Sequence, residues 1–144
     1  MLNHHVKSYD EQKPSIILLH GFISDHTSFH IVESTLRNKG LNVITIDLPG
    51  HGHDKSSYDE IWSMDFIVSK IKEVIDYLEL DKIYLHGYSM GGRVALSFAV
   101  QYSELLSGLI LESASPGLKD SSDKQNRIEV DYNRATRIQE IGLQ

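Results

Sequence analysis

Residues 86–93 read HGYSMGGR, and this stretch decides the fold. It ends an apolar run at 82–87, which predicts a β-strand, and it leads directly into MGGRVALSFAVQY, which predicts a helix. Gly87, Ser89 and Gly91 fit the pattern G-x-S-x-G, in which a serine occupies the strained tip of a strand-to-helix turn. Side chains at the two glycine positions would collide with neighbouring backbone. The alternative, a glycine-rich turn with an incidental serine, remains open at this point.

Four short apolar runs, rich in β-branched residues, predict the strands of a sheet. They occupy residues 15–19, 42–48, 82–87 and 106–114. These runs are apolar throughout rather than alternating, which is typical of parallel strands covered by helices on both faces. The stretch HHVKSYD near the N-terminus is a candidate for an antiparallel edge strand.

Helical segments separate these strands. Phe29, Val32 and Leu36 share one face of the first segment. The second segment carries an apolar stripe over residues 66–78, and it follows Ser63, a residue type favoured at helix N-caps. The alternation of strand and helix predicts an α/β protein with a mostly parallel sheet.

The sequence changes character after residue 118. Residues 1–118 carry the apolar pattern of a sheet core, whereas residues 119–144 are polar, with one predicted helix at about 123–141 and a thin apolar stripe. We interpret residues 119–144 as the start of a lid or cap segment.

The composition bounds the class of protein. The chain has 144 residues, 40% of them hydrophobic and 24% charged, which suits one globular domain. It contains no cysteine, which excludes disulfides and thiolate metal sites and favours a reducing compartment. A net charge of −6 with no basic run argues against nucleic acid, and no apolar run approaches the ~20 residues of a membrane span. We expect a cytoplasmic protein without nucleic-acid or membrane partners.

A second loop complements the serine turn. His20, Gly21 and Phe22 follow the first predicted strand directly, and in a parallel sheet their loop lies beside the serine turn. The backbone N–H groups of Phe22 and Met90 could together form an oxyanion hole. We interpret His20 as a hydrogen-bonded structural histidine rather than a catalytic base.

Three motifs in this order resemble the α/β-hydrolase fold: HGF at 20–22, DLPGHG at 47–52 and GYSMGG at 87–92. The resemblance covers roughly residues 14–118. It implies a catalytic triad in the chain order serine, acidic residue, histidine. All eight histidines precede Ser89, so the resemblance implies the N-terminal portion of a longer enzyme, truncated after the start of the lid. We expect residues 1–144 alone to be inactive.

Arg93 lies four residues after Ser89, on the same side of the predicted helix one turn further along. The helix around it is apolar, and a buried guanidinium needs an anionic partner or strong hydrogen bonds. Two interpretations are equally open: an ion pair with a protein carboxylate such as Glu112, or a clamp for a substrate carboxylate beside the serine.

A more specific resemblance comes from GYSMGGRVAL followed by LILESASPGL. These stretches are similar to the 2-succinyl-6-hydroxy-2,4-cyclohexadiene-1-carboxylate synthases of menaquinone biosynthesis, which also carry an arginine a short way into the lid. Arg127 stands at that distance here. The resemblance implies that Arg93 and Arg127 bind carboxylates of a small polycarboxylate substrate. Without it, Arg127 would be interpreted as a solvated helix residue.

The resemblance also implies the chemistry. Ser89, activated by a histidine and an aspartate, would act as a base in a lyase reaction that eliminates pyruvate. The amides of Phe22 and Met90 would stabilise negative charge on a carbonyl oxygen, and Tyr88 would add a hydrogen bond. No organic cofactor and no metal is implied; His51 and His53 are too few for a metal site. A monomer is expected for the full-length enzyme. The alternative functions are a serine esterase and a non-catalytic fragment.

Overall fold

The computed structural model describes residues 1–54 and 62–142, and its central layer is a five-stranded sheet. The strands are β1 (His4–Val6), β2 (Ser15–Leu19), β3 (Asn42–Ile46), β4 (Ile83–Tyr88) and β5 (Leu106–Glu112), in the spatial order β1-β3-β2-β4-β5. β1 pairs antiparallel with β3, and the other pairs are parallel. The predicted parallel sheet and its antiparallel edge strand are therefore confirmed. Residues 55–61, in and just after the predicted loop that follows β3, lie outside the described residues.

Within residues 1–54 and 62–142, three α-helices connect the parallel strands and a fourth follows the sheet. They are α1 (His30–Asn38), α2 (Met64–Tyr77), α3 (Met90–Gln101) and α4 (Ser121–Ile141). The Oγ of Ser63 accepts a hydrogen bond of 3.1 Å from the amide of Phe66, which confirms the predicted N-cap of α2. No helix within the described residues is long and apolar enough to cross a membrane.

Alternate side chains of the sheet pack on opposite faces. Ile17 and Leu19 of β2 join a large core with α2 and α3, in which Val68, Ile71 and Phe98 are fully buried. Ile16 and Leu18 point the other way into a smaller core. β2 and β3 are buried along their whole length because helices cover both faces of the sheet there, which explains why these strands are not alternating in sequence. β4 alternates between buried and exposed residues, and β5 is partly exposed.

The smaller core shows where the sequence pattern was misleading. Phe29 is buried, but in a short 3-10 helix (His26–Phe29) that precedes α1, while Val32 is 45% exposed. Glu33 is buried instead, because its carboxylate pairs with Lys7 at 2.9 Å beside the edge strand β1. The prediction that Val32 faces the core is therefore wrong.

Several element boundaries differ from the sequence prediction by one or two residues. β3 ends at residue 46 rather than 48, and β5 ends at 112 rather than 114. α4 begins at residue 121 rather than about 123. Strand pairing ends where the chain turns toward the loops at the carboxyl edge of the sheet.

Candidate active site

Ser89 occupies the tip of the turn between β4 and α3. Its backbone has φ 52° and ψ −108°, a left-handed conformation that is costly for a residue with a side chain. The Ser89 amide donates a hydrogen bond of 2.9 Å to the carbonyl of Glu112 at the end of β5. The carbonyl of Ser89 accepts from the amides of Gly92 and Arg93 at the start of α3. These bonds hold the strained residue in place, as the G-x-S-x-G pattern predicts.

The glycines around Ser89 are required by close backbone approach. A Cβ added at Gly87 would lie 2.4 Å from the carbonyl oxygen of Gly91, and one at Gly91 would lie 2.3 Å from that of Leu19. A Cβ at Gly92 would lie 2.4 Å from the Cβ of Ala114. All three distances are below any real non-bonded contact of a Cβ. These close approaches confirm the predicted tight turn, which glycines make possible.

Two backbone amides near Ser89 are available to a ligand. Neither the amide of Phe22 nor that of Met90 donates a hydrogen bond to any of the described residues. Met90 is the first residue of α3, where the positive end of the helix dipole favours negative charge. Phe22 and Met90 line the same cavity as Ser89.

His20 is fully buried at the end of β2 and is held in one tautomer. Its Nε2 accepts a hydrogen bond of 3.0 Å from the amide of Leu48, so the ring proton resides on Nδ1, which donates to the carbonyl of Gly21 at 2.7 Å. Burial lowers the pKa of His20 below that of a free histidine. His20 is thus the structural histidine that its position predicted, and it fixes the loop that carries Phe22.

Asp47, the first residue of DLPGHG, is a buried hub that sequence reasoning did not identify. Its Oδ1 accepts from the amide and the Nδ1 of His26, and its Oδ2 accepts from the side chain of Asn3 and the amide of His53. Burial opposes ionisation, but these hydrogen bonds hold the pKa of Asp47 far below its usual range. A Cβ at Gly52 would lie 2.4 Å from this carboxyl group, which explains the last glycine of the motif.

His5, His26 and Asp47 bring potential metal-ligand atoms within 4.8 Å of one another. However, both carboxylate oxygens of Asp47 already accept two hydrogen bonds each, and the rings of His5 and His26 stack at 3.6 Å instead of converging on one point. The hydrogen bonds of this group are those of a carboxylate that holds loops together, with Asp47 linking His26, Asn3 and His53.

A cavity of about 750 Å³ opens above Ser89. One wall comes from the β2 and β4 loops and the start of α3, and the other comes from α4. It is lined by Phe22, Ile23, Ser89, Met90, Arg93, Arg127, Asp131, Arg134, Ala135 and Ile138. The structure therefore brings five of the six predicted site residues together, because α4 lies across the serine turn.

Tyr88 is the sixth predicted residue, and it does not line this cavity. Its side chain is exposed and lies against Gly21, where an added Cβ would meet the tyrosine ring at 3.0 Å. The predicted hydrogen bond from Tyr88 to a substrate is therefore not supported in this arrangement. A β-strand places neighbouring side chains on opposite faces, so a residue next to Ser89 in sequence need not share its cavity.

The arginines of the cavity differ in their partners. Arg127 donates from Nε to Asp131 at 2.7 Å, which raises the pKa of Arg127 and lowers the pKa of Asp131. Arg93 is partly buried and forms no ion pair with any described residue. Glu112, the partner considered for Arg93, lies 3.2 Å from His86 instead. The ion-pair interpretation with Glu112 is wrong, and Arg93 faces the cavity.

The fold and this site define the class of protein. The family model of the alpha/beta hydrolase fold matches residues 14–137, and the chain belongs to that family. Within it, the chain is 40% identical over 131 residues to a candidate 2-succinyl-6-hydroxy-2,4-cyclohexadiene-1-carboxylate synthase of Bacillus subtilis (strain 168), covering 90% of this chain and 47% of that protein.

Two further similar proteins are a solved structure and a human lipase. The solved structure of MenH from S. aureus superposes with a TM-score of 0.87 at 39% identity, covering 98% of this chain and 53% of that one. The monoacylglycerol lipase ABHD6 of Homo sapiens is 39% identical over 116 residues, covering 78% of this chain and 34% of the lipase. The chain thus spans about half the length of the first relatives it matches.

Proposed function

We propose that the protein is a lyase of menaquinone biosynthesis that eliminates pyruvate from 2-succinyl-5-enolpyruvyl-6-hydroxy-3-cyclohexene-1-carboxylate. The product is 2-succinyl-6-hydroxy-2,4-cyclohexadiene-1-carboxylate. One observation carries the proposal: Ser89, Arg93 and Arg127 line a single cavity whose basic groups outnumber its acidic ones. Similarity to the B. subtilis relative supports the same activity.

In the proposed mechanism, Ser89 takes a proton from the ring carbon next to the succinyl carbonyl. The electron pair moves into the ring, the C–O bond to the enolpyruvyl group breaks, and pyruvate leaves as its enolate and takes up a proton. During this step negative charge develops on the succinyl carbonyl oxygen. The amides of Phe22 and Met90 would donate to that oxygen, and each such donor is worth about 2.7–4 kcal/mol of barrier.

A serine hydroxyl is a weak base without help, so this mechanism needs an activating histidine. Within the described residues the cavity lining includes no histidine. Since the chain spans about half of its relatives, the activity is proposed for the full-length protein encoded by the gene. The substrate's carboxylates would bind Arg93 and Arg127, because guanidinium groups match carboxylates in charge and in fork geometry.

The test is pyruvate release by the full-length protein from the proposed substrate. We expect Ser89→Ala to lower turnover by several orders of magnitude with an unchanged melting temperature. Arg93→Ala should mainly raise KM, roughly ten- to a hundred-fold, since a charge-assisted hydrogen bond contributes about 1.5–3 kcal/mol. Near-wild-type turnover in Ser89→Ala would refute the role of the serine.

A serine hydrolase is the second candidate, and the similarity to the lipase ABHD6 favours it. The same strained serine and the same two amides would serve acyl transfer, with Ser89 attacking a carbonyl carbon. Ester cleavage that requires Ser89, without pyruvate release from the lyase substrate, would establish this alternative. Arg93 then has no evident partner in a neutral ester, which is why we place the lyase first.

A further inference from the structure

Three guanidinium groups and one carboxylate line the cavity. Arg127, Asp131 and Arg134 are spaced i, i+4 and i+7 along α4, which places them on one face of that helix. Arg93 approaches from α3 on the opposite side. The cavity lining thus carries three positive side chains against one negative side chain, Asp131, which interacts electrostatically with all three.

Asp131 accepts its hydrogen bond from the Nε group of the Arg127 guanidinium. Its Oδ2 accepts from Nε of Arg127 at 2.7 Å, and the two Nη groups of Arg127 form no hydrogen bond with any described residue. Both side chains are nearly half exposed, so the pair contributes little to the stability of the fold. The contact instead fixes the plane of the guanidinium and leaves its Nη edge available for a bidentate contact.

Arg134 is held loosely at the same wall. Its Nη1 lies 3.6 Å from Oδ1 of Asp131, beyond hydrogen-bond distance, and its Cζ lies 5.8 Å from the ring centroid of Phe22. Arg134 therefore stands between the carboxylate of α4 and the loop that carries one of the proposed oxyanion donors. A ligand carboxylate at this point would be its strongest hydrogen-bond partner.

We propose that Asp131 and Arg134 complete the anion-binding wall with Arg127: Asp131 is a positioning residue that orients the Arg127 guanidinium, and Arg134 is a third cation that binds a ligand carboxylate. The inference deepens the proposed function and rests on it for the class of ligand, a molecule with several carboxylates. Arg93, Arg127 and Arg134 together suit a di- or tricarboxylate better than a monocarboxylate.

The role of Arg134 is tested by calorimetric titration of the full-length protein with citrate, and with acetate at matched ionic strength. Arg134→Ala should weaken citrate binding about tenfold and affect the weaker acetate binding less. Arg137→Ala, an exposed arginine three residues further along α4 and outside the cavity lining, is the matched control and should stay within twofold of the wild type. Equal citrate affinity in the two variants would overturn the assignment of Arg134.

The role of Asp131 is tested by a double-mutant cycle with Arg127. Asp131→Ala should weaken citrate binding three- to tenfold, and Asp131→Asn, which keeps an oxygen for Nε of Arg127, should weaken it less. In an Arg127→Ala background, Asp131→Ala should have no further effect. Tighter binding in Asp131→Ala would show that Asp131 competes with the ligand, and an effect that persists without Arg127 would also overturn positioning.

Kinetic measurements distinguish a failure of this inference from a failure of the proposed function. If the full-length protein releases pyruvate, Asp131→Ala should raise KM three- to tenfold and change kcat less than twofold, while Glu129→Gln on the same helix changes neither. If the protein releases no pyruvate but citrate binding responds to Arg134 and Asp131 as described, the lyase proposal fails and the anion-binding wall stands. A lower melting temperature with unchanged citrate affinity and KM would reduce Asp131 to a structural role.

Discussion

His20 resists a second ring proton in the folded state because both of its ring nitrogens form hydrogen bonds. A second proton would fall on Nε2, which faces the amide of Leu48, so the lowered pKa has a direct geometric cause in addition to burial. The unfolded chain binds this proton at its ordinary pKa of about 6.5, whereas the folded protein resists it. The stabilisation from His20 is therefore complete above about pH 6.5 and is lost as the pH falls from there toward the lower folded pKa.

We predict that the melting temperature falls as the pH is lowered from 7 to 5, and that His20→Gln flattens this dependence while lowering the melting temperature at pH 7. Circular dichroism melts across this pH range provide the measurement. His30→Gln, a substitution at an exposed histidine, is the control and should retain the wild-type slope. An unchanged slope in His20→Gln would show that other groups cause the acid sensitivity.

At the scale of an element, the close packing of α3 against β2 depends on the absence of a Cβ at one position, Gly91. Gly91 lets the first turn of the helix lie against the carbonyl of Leu19, and this packing sets the height of Ser89 above the sheet edge. Alanine favours helices over glycine by about 1 kcal/mol. However, the Cβ of an alanine at this position would overlap the rigid backbone of Leu19, and such overpacking costs about 1–3 kcal/mol or more.

We therefore predict that Gly91→Ala destabilises the protein by roughly 2 kcal/mol and abolishes the activity of Ser89, since the overlap outweighs the helix propensity. Val100→Ala, an exposed position on the same helix, is the control and should change the free energy of unfolding by less than about 0.5 kcal/mol. Denaturant unfolding gives both values. A more stable Gly91→Ala variant would mean that the helix can shift without cost.

Local sequence patterns predicted the elements of this structure but not the contacts between distant segments. The strands and the serine turn follow from apolar runs and glycine spacing, which are local properties. The burial of Glu33 depends on Lys7, which directly follows the edge strand β1, and the exposure of Tyr88 depends on the face that β4 turns toward Gly21. Such contacts join distant segments, so no local pattern reveals them.

The sequence contains a pattern that could have predicted the cluster of Arg127, Asp131 and Arg134 on α4. Residues 127, 131 and 134 have the spacing of one helical face, and their charges alternate in sign along it. What the pattern does not give is where that face points. Only the path of residues 113–120, which returns α4 across the end of β4, brings the cluster above Ser89.

At the scale of the whole molecule, β5 forms one edge of the sheet within the described residues. Ile110 is 49% exposed and Leu111 is 42% exposed on this strand, which pairs with β4 on its other side. An exposed apolar edge strand is a template for pairing with another chain. The 144-residue chain by itself should therefore self-associate as its concentration rises.

We predict that Ile110→Lys reduces this self-association, because a charge on an edge strand opposes pairing. Val100→Lys introduces the same charge on the exposed face of α3 and should have a smaller effect. Multi-angle light scattering over a concentration series measures the difference. A monodisperse wild-type chain at high concentration, or equal improvement by both variants, would show that net charge rather than the edge governs association.

The strand order also determines how long β2 stays partly unpaired during synthesis on the ribosome. β2 lies between β3 and β4, so the first long strand to be synthesised receives its second neighbour only when residue 88 has been added. At roughly 5–20 residues per second, about 3–14 s pass between the completion of β2 and that of β4. For that interval one hydrogen-bonding edge of the most apolar strand is unpaired, which makes the nascent chain a natural client for chaperones that shield extended hydrophobic segments.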